Sequence, residues 1–358
     1  MPPACKRPRM PPKTWMVRAG KRGALIDRFR TAGRVAIGWA ELGSLAAVAD
    51  RPAMVALVRT RWPDWNVYEV GNNAGQLHRF RSDIQVGDRV ISYDPDGRVY
   101  HVGTVTGPYA HEPAFDADYP NVRPVTWGGS VPRDVLGVSA KNSLGSVTTV
   151  FQVPAETAAE IDTALAGPDA PSTKQASAAV QDGADLDAVT VADPTAEAAA
   201  EQDLFEDLEA KALEFIKDRL VKLSPRDMEL FVAGLLRAMG YKTRVSPVGP
   251  DRGRDIFASP DGLGLEDPRI FVEVKHRSGP IGAPSVRSFL GGRRPGDRGL
   301  YVSTGGFARD AKYEADRAPI PLSLLDLDDL VALALEHYDG LDVDSKRLLP
   351  LKRLYWPA

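Results

Sequence analysis

The chain contains one cysteine, Cys5, among its 358 residues. A single thiol cannot form an intrachain disulfide or a cysteine-rich zinc site, so both are excluded as stabilising devices. No stretch approaches the roughly 20 apolar residues of a membrane-spanning helix, and no apolar signal-peptide core follows the basic, proline-rich start. We therefore expect a soluble, cytoplasmic protein with no membrane contact.

The sequence also lacks a large net charge, but its charges are unevenly distributed. The total is −3, yet residues 151–210 hold fourteen acidic residues and one base, Lys174. That segment therefore carries −13, and the rest of the chain carries +10. A positive surface would suit the phosphates of a nucleic acid, although scattered, solvated charges would explain the same counts.

The length of the chain is more than one hydrophobic core usually supports, and 43% hydrophobic residues supply material for two. Residues 1–13 are predicted to be a disordered basic tail. Residues 154–200 are rich in Ala, Asp, Ser, Thr and Pro and are predicted to be an acidic linker, which serves as a tether or, alternatively, masks a basic groove as a DNA mimic. The expected domains are therefore residues 14–153 and 201–358.

Short β-type runs punctuated by turns dominate residues 14–153. Asp94-Pro95-Asp96-Gly97 separates two such runs and is typical of a hairpin turn. Residues 23–31 and 52–62 have the pattern of short amphipathic helices. We therefore expect a small, partly helical β-barrel.

The region after the linker alternates between helical and β-type patterns. An amphipathic helix over residues 204–220 is followed by Ser224-Pro225, which predicts a helix start with Asp227 in its first turn. The buried stripe of that helix is predicted to contain Met228, Phe231, Val232, Leu235, Leu236 and Met239. From this helix onward the predicted order is αβββαβαβα, an α/β fold around a mixed sheet.

Two carboxylates and a lysine lie on neighbouring predicted strands of this region. Residues two apart on a strand share a face, so Glu273 and Lys275 should point the same way. Asp255 begins the preceding strand and can reach that face if the two strands pair. Asp255 and Glu273 would suit Mg²⁺, with Mn²⁺ as a substitute, and Lys275 would orient water or stabilise transition-state charge. Glu229 is a further candidate carboxylate, with a solvated position on the helix surface as the alternative.

Four segments of this region resemble the Mrr-type restriction endonuclease catalytic domain, a member of the PD-(D/E)xK nucleases. The resemblance implies metal-dependent cleavage of DNA by Asp255, Glu273, Lys275 and Glu229. Many relatives carry Gln in place of Glu273, and Arg252 stands where relatives often have Gly. The matching segments are Met239-Gly240-Tyr241, Gly253-Arg254-Asp255, Glu273-Val274-Lys275 and Val302-Ser303-Thr304-Gly305-Gly306-Phe307.

The first domain is similar to the N-terminal PUA- and EVE-like domains of some Mrr-like enzymes. Segments that carry this resemblance include Val35-Ala36-Ile37-Gly38-Trp39 and Val86-Gly87-Asp88-Arg89-Val90. It implies recognition of a flipped base, for which aromatic stacking is a suitable device. Trp39, Tyr109 and Trp127 are the candidate base-binding side chains, and a role in the hydrophobic core is the alternative for each.

We therefore expect a defence-type restriction endonuclease that cuts double-stranded DNA as a homodimer and is directed to modified bases by its first domain. Two alternatives remain open from the sequence. One is a structure-specific nuclease of the Holliday-junction-resolving kind. The other is a DNA-binding protein with an inactive nuclease fold.

Overall fold

The computed structural model describes residues 12–166, 194–247, 255–291 and 293–356. The chain divides into two compact units, an N-terminal unit from Met1 to Lys211 and a C-terminal unit from Ala212 to Ala358. Most of the predicted basic tail, residues 167–193 of the predicted linker, and residues 248–254, which include Arg252, lie outside the described residues.

A curled sheet organises the described part of the N-terminal unit. Its strands follow the order β2-β6-β4-β3-β1-β7, with β5 paired to β6. β1 and β3 are parallel, and the other pairs are antiparallel. This half-barrel is compatible with a PUA- or EVE-like domain. The strands are β1 Thr14–Val17, β2 Arg34–Ile37, β3 Arg89–Asp94, β4 Val99–Val105, β5 Ala110–His111, β6 Asn121–Pro132 and β7 Val150–Gln152.

Helices cover both faces of this sheet. Trp15 and Val17 of β1 face one cluster of buried apolar side chains, and Met16 faces the other, as strand alternation requires. The first cluster includes α1 Ile26–Ala32, α2 Arg51–Arg61 and α3 Val67–His78, and the second includes α4 Val138–Leu144 and α5 Ala155–Ala166.

The helix α5 lies inside the segment predicted to be a linker. Thr157 and Ile161, one helical turn apart, are both buried, and Ile161 packs in the second cluster. Residues 155–166 therefore form a helix whose buried face packs with the N-terminal unit.

The sequence interpretation also missed α3. Its start carries a capping box in which Asn66 accepts from the backbone of Glu69 and Glu69 accepts from the backbone of Asn66. Gly71, Asn72 and Asn73 have poor helix propensity and obscured the pattern. The buried face formed by Val70, Ala74 and Leu77 stabilises the helix instead.

The C-terminal unit confirms the predicted order αβββαβαβα. Its mixed sheet follows the order β12-β11-β10-β9-β8, in which β10, β11 and β12 are parallel and β8 and β9 are antiparallel additions. The elements are α7 Pro225–Ala238, β8 Lys242–Val245, β9 Ile256–Ser259, β10 Arg269–Lys275, α8 Ala283–Leu290, β11 Asp297–Ser303, α9 Arg309–Asp316, β12 Leu322–Leu325, α10 Leu327–Glu336 and α11 Val343–Leu348.

The two faces of this sheet pack against different helices. Val272, Val274 and Val302 face the cluster that contains α7 and α10. Phe271 and Tyr301 face the cluster that contains α8 and α9. Because side chains alternate along a strand, Glu273 and Lys275 lie on the α8 and α9 side.

The helix α7 begins as the sequence predicts. The Ser224 side chain accepts a hydrogen bond from the Asp227 backbone N–H, and proline occupies the first turn. Most of the predicted stripe is buried. Met239 is the exception, since it is the C-cap residue and is 39% exposed.

The predicted amphipathic helix forms part of α6, Pro194–Val221, which runs along the chain from one unit into the other. Leu220 is fully buried, whereas Leu204 and Leu208 are exposed. The expected apolar packing therefore holds only towards the end of this helix. None of the helices in the described stretches combines the length and apolar character needed to cross a membrane.

Candidate active site

Asp255 immediately precedes β9 and is hydrogen-bonded to Val272 and Val274, the residues on either side of Glu273. Its backbone N–H donates to the Val272 carbonyl oxygen at 3.0 Å, and its carboxylate Oδ2 accepts from the Val274 N–H at 2.6 Å. The antiparallel pairing of β9 with β10 continues as far as Ile256 and Val272. These bonds hold the Asp255 carboxylate at the same end of β10 as Glu273.

Glu273 and Lys275 form an ion pair on β10, with 2.7 Å between Lys275 Nζ and Glu273 Oε1. The Glu273 side chain is 9% exposed and that of Lys275 is 40% exposed. Burial raises the pKa of Glu273, and the nearby Asp255 carboxylate raises it further, against the opposing effect of Lys275. The structure thus brings the three predicted residues together.

Two residues that the sequence interpretation did not assign to the site lie beside Glu273. Tyr301 is its register partner on β11, and the Tyr301 hydroxyl lies 3.5 Å from Glu273 Oε1. Burial raises the pKa of Tyr301, and the charge of Glu273 adds to the rise. Arg293 lies over the rings of Phe271 and Phe289 and lowers the pKa of Glu273. The sequence predicts that Tyr301 and Ser303 lie on the same face of their strand. It does not predict the strand register that brings Tyr301 opposite Glu273.

The turn after β11 fixes the loop that follows Lys275. Thr304 Oγ1 accepts from the Arg277 N–H at 3.0 Å and lies 3.2 Å from Nδ1 of His276. The other ring nitrogen of His276 lies 2.8 Å from the Leu223 carbonyl oxygen. The matched Ser303-to-Phe307 motif therefore has a structural role at Thr304, which anchors residues 276 and 277 beside the site.

Replacing Gly305 by alanine is expected to destabilise this turn. An added Cβ would overlap the Gly279 carbonyl oxygen and lie 2.8 Å from that of Arg277, and backbone atoms cannot move aside cheaply. We expect a loss of about 1–3 kcal/mol or more in the free energy of unfolding, measured by chemical denaturation. The matched control is Gly71→Ala, because no atom lies within 4 Å of the added Cβ there. Equal stability of Gly305→Ala and wild type would contradict this close packing.

The Glu229 carboxylate forms an ion pair with the guanidinium group of Arg226. Its Oε2 accepts from Arg226 Nη1 at 2.7 Å, and the same nitrogen donates to the Ser246 carbonyl oxygen at 2.8 Å. The Ser246 N–H in turn donates to the Asp255 carbonyl oxygen. Glu229 is therefore connected to the Asp255 backbone through two intermediate residues.

The donor set at this end of β10 fits a divalent cation with a preference for oxygen. Asp255 and Glu273 supply carboxylate oxygens, the ligand type that Mg²⁺ prefers, and lie at the same end of β10. Across the described stretches, no three His, Cys, Asp or Glu side chains gather at a metal-binding geometry. Asp255 and Glu273 would supply two carboxylate ligands, and Mg²⁺ commonly keeps several waters.

Comparison with known families agrees with this geometry. Residues 220–334 match the family profile Mrr_cat, described as a restriction endonuclease. This segment is a restriction endonuclease domain. It spans α7 through most of α10 and contains Asp255, Glu273, Lys275 and Glu229. Its PD-(D/E)xK-like fold confirms the fold predicted from the sequence.

The endonuclease domain is preceded by a segment that matches a second family. Residues 15–153 match a domain of unknown function, DUF8426. No curated protein matches the chain.

Two solved structures of restriction enzymes are similar to the chain. One is the MspJI restriction endonuclease in complex with a 27-mer oligonucleotide, with 14% identity, a TM-score of 0.26, and 94% of this chain and 71% of that chain covered. The other is the DNA modification-dependent restriction endonuclease AspBHI, with 15% identity, a TM-score of 0.28, and 94% and 84% covered.

In the N-terminal unit, Asn121 connects two of the three predicted base-binding residues. The Tyr109 hydroxyl donates to Asn121 Oδ1 at 2.7 Å, and Asn121 Nδ2 donates to the carbonyl oxygen of Gly38, the residue before Trp39. Trp39 Nε1 donates to Asn73 Oδ1 at 3.1 Å. Both aromatic side chains are half-buried against the first apolar cluster.

The backbone of Trp39 lies in the left-handed region, with φ of 57°. A bulky residue rarely adopts this conformation, so the surrounding contacts must hold it there. Burial also raises the pKa of Tyr109, whose hydroxyl accepts from the Leu45 N–H at 2.9 Å.

Trp127 occupies a different part of the N-terminal unit. It follows Asn121 by six residues on β6, which corresponds to roughly 20 Å of extended strand. Its Nε1 donates to the Phe29 carbonyl oxygen at 2.9 Å, and its ring meets the edge of His101. All three aromatic side chains pack against the first apolar cluster, but Asn121 connects Tyr109 to the residue before Trp39, whereas Trp127 is hydrogen-bonded to Phe29.

Proposed function

We propose that the chain is a Mg²⁺-dependent DNA endonuclease whose catalytic residues are Asp255, Glu273 and Lys275. One observation carries the proposal: Asp255 is bonded to both neighbours of Glu273 while Lys275 pairs with Glu273 itself. Two carboxylates and an ammonium group at one strand end are the groups that phosphodiester hydrolysis requires. The match of residues 220–334 to a restriction endonuclease family supports this function.

Each residue then has a separate role. Asp255 and Glu273 hold the cation, which when bound polarises the phosphate and lowers the pKa of a water ligand. Lys275 is exposed enough to leave Glu273 and orient the attacking water or stabilise the charge that develops on the phosphate. Glu229, fixed by Arg226, contributes negative charge on the side of α7.

The test is conversion of supercoiled plasmid to nicked and linear forms with Mg²⁺, with Mn²⁺, or with EDTA. We expect cleavage with either metal and none with EDTA. Failure of the purified wild-type protein to cut any plasmid in Mg²⁺ would overturn the proposal. Equal cutting in EDTA would overturn its metal dependence.

We further propose that the N-terminal unit directs the enzyme to double-stranded DNA that contains a modified base. The buried Asn121 accepts from the Tyr109 hydroxyl and donates to the carbonyl oxygen of Gly38, so it connects Tyr109 to the residue before Trp39. Arg81 is close enough to lower the pKa of Tyr109, and its positive charge suits a neighbouring phosphate. Aromatic stacking on an extruded base is an established physical device for such recognition.

Replacing Trp39 by alanine is expected to abolish discrimination between modified and unmodified DNA. The loss of one stacked base should change the preference by about five- to hundredfold, the equivalent of roughly 1–3 kcal/mol. The measurement compares cleavage of matched plasmids that differ only in cytosine methylation or hydroxymethylation. Trp127→Ala is the control, because Trp127 lies on another part of β6. An unchanged preference in a folded Trp39→Ala variant would contradict this assignment.

Cleavage of both strands with one site per chain favours a symmetric dimer. We therefore propose that the active form is a homodimer in restriction-type defence. Sedimentation of the protein with and without DNA tests this part independently of cleavage.

A further inference from the structure

Two residues with hydroxyl side chains lie at the end of β11, and they have different surroundings. Ser303 is the last residue of the strand, and Thr304 follows it. Thr304 Oγ1 is engaged with the backbone of Arg277 and with His276. Ser303 is fully buried, and its Oγ has no hydrogen-bond partner in the described part of the chain. The sequence alone could not separate these two neighbouring residues.

The position of Ser303 is set by the parallel pairing of β10 with β11. In that register Tyr301 lies opposite Glu273, and Ser303 lies opposite Lys275. Ser303 and Tyr301 share a face because they are two residues apart on one strand. Ser303 is therefore the cross-strand neighbour of the Lys275 side chain on the face that carries the candidate active site.

An enclosed hydroxyl without a partner destabilises a folded protein, and buried polar groups without partners are uncommon. Ser303 also lies at the carboxyl ends of two parallel strands, where ligands of α/β proteins usually bind. The ionised carboxylates of Asp255 and Glu273 can only accept hydrogen bonds, so a phosphate at this place needs donors from elsewhere. Lys275 is one such donor, and the Ser303 hydroxyl beside it is a second.

We propose that the Ser303 hydroxyl donates a hydrogen bond to a non-bridging phosphoryl oxygen of the DNA strand that is cut. This inference rests on the proposed nuclease function and adds a substrate-contacting residue to it. In the free protein the hydroxyl is enclosed, and its neighbour Lys275 is paired with Glu273. A phosphate bound by Lys275 would lie next to the cross-strand neighbour of that lysine, Ser303.

The test is Ser303→Ala, measured by thermal unfolding and by the single-turnover rate of supercoiled plasmid cleavage in Mg²⁺. We expect the rate to fall by about ten- to hundredfold, because a hydrogen bond to a charged oxygen is lost. We expect the midpoint of unfolding to stay equal or to rise, because the group removed has no partner in the free protein. Ser303→Cys, which keeps the size but donates weakly, should behave in the same way.

A matched control is Ser259→Ala. Ser259 is also fully buried at a strand end, but its hydroxyl donates to Asp261 Oδ1 at 2.8 Å and accepts from the Gly264 N–H at 3.2 Å. This variant should unfold at a lower temperature and cut plasmid at the wild-type rate. Ser303→Ala is therefore expected to lose cleavage but not stability, and Ser259→Ala is expected to lose stability but not cleavage.

The possible results distinguish failure of the Ser303 proposal from failure of the proposed nuclease function. If wild-type protein does not cut plasmid in Mg²⁺, both fail. If wild type cuts and Ser303→Ala cuts at the same rate, only the Ser303 inference is overturned. A variant that loses stability and rate together would assign Ser303 a structural role and overturn the inference as well.

Discussion

Replacing Lys275 by alanine is expected to reduce the single-turnover rate of plasmid cleavage at least about a thousandfold. Its ammonium group is the cation paired with Glu273, and it is the donor best placed to stabilise charge on the phosphate. Because the Glu273 side chain is 9% exposed and loses its partner in this variant, we also expect a lower midpoint of unfolding, and cleavage is measured below that midpoint. Thermal unfolding of the variant checks this second point.

Lys312→Ala is the control for this experiment, because it removes an exposed lysine from the same unit. It should leave the cleavage rate within about twofold, the small effect typical of surface substitutions. Asp255→Ala should match the loss seen with Lys275→Ala. Wild-type rates in both site variants would mean that a different set of residues cuts the DNA.

Replacing Glu273 by glutamine, the residue that many relatives carry there, is expected to slow cleavage without abolishing it and, in the absence of metal, to raise the midpoint of thermal unfolding. Burial and Asp255 raise the pKa of Glu273, so the folded protein binds a proton there more readily than the unfolded chain does. The stability that this site contributes is complete below the ordinary glutamate pKa and is lost as the pH rises through the raised value. The glutamine side chain does not ionise, so the variant should not lose this stability at neutral pH.

The same variant tests the metal site without measuring activity. Mg²⁺ should raise the unfolding midpoint of the wild-type protein, because a ligand that binds only the folded state stabilises it. It should raise the midpoint of Glu273→Gln by less, because one ligand charge is lost. Glu314→Gln, which alters an ion pair with Arg287 in the same unit, should respond to Mg²⁺ as wild type does. An identical Mg²⁺ response in both variants would remove Glu273 from the metal site.

The C-terminal unit was the more predictable half of the fold. Its helices and strands follow the order read from the sequence because apolar periodicity and helix caps such as Ser224-Pro225 are local signals. The N-terminal unit was less predictable. The helix α3 was missed because its Gly and Asn residues weaken the pattern, and α5 was missed because an acidic, Ala-rich helix resembles a linker until its partner surface is known.

The candidate site shows the same division. The sequence predicts that Glu273 and Lys275 share a face, because the alternation of side chains between the two faces depends only on positions along one strand. The importance of Tyr301, Ser303 and Arg293 did not appear in that pattern. Each comes from another strand or loop, and its distance from Glu273 depends on register and packing.

The aromatic residues of the N-terminal unit make this point independently. Their sequence contexts did not separate Trp39, Tyr109 and Trp127. Asn121, which connects Tyr109 to the residue before Trp39, lies on β6 and is buried, and neither its burial nor its contacts are visible along the chain.

The sequence by itself determined which residues can perform the chemistry: a carboxylate before one strand, and a carboxylate and a lysine two apart on the next. The tertiary structure alone decided that Asp255 is bonded to both neighbours of Glu273, that Lys275 pairs with Glu273, and that Ser303 lies opposite that lysine. The physical reason is that side-chain alternation is a local property of extended backbone, whereas contacts between strands depend on connecting loops and on helices packed on both faces of the sheet.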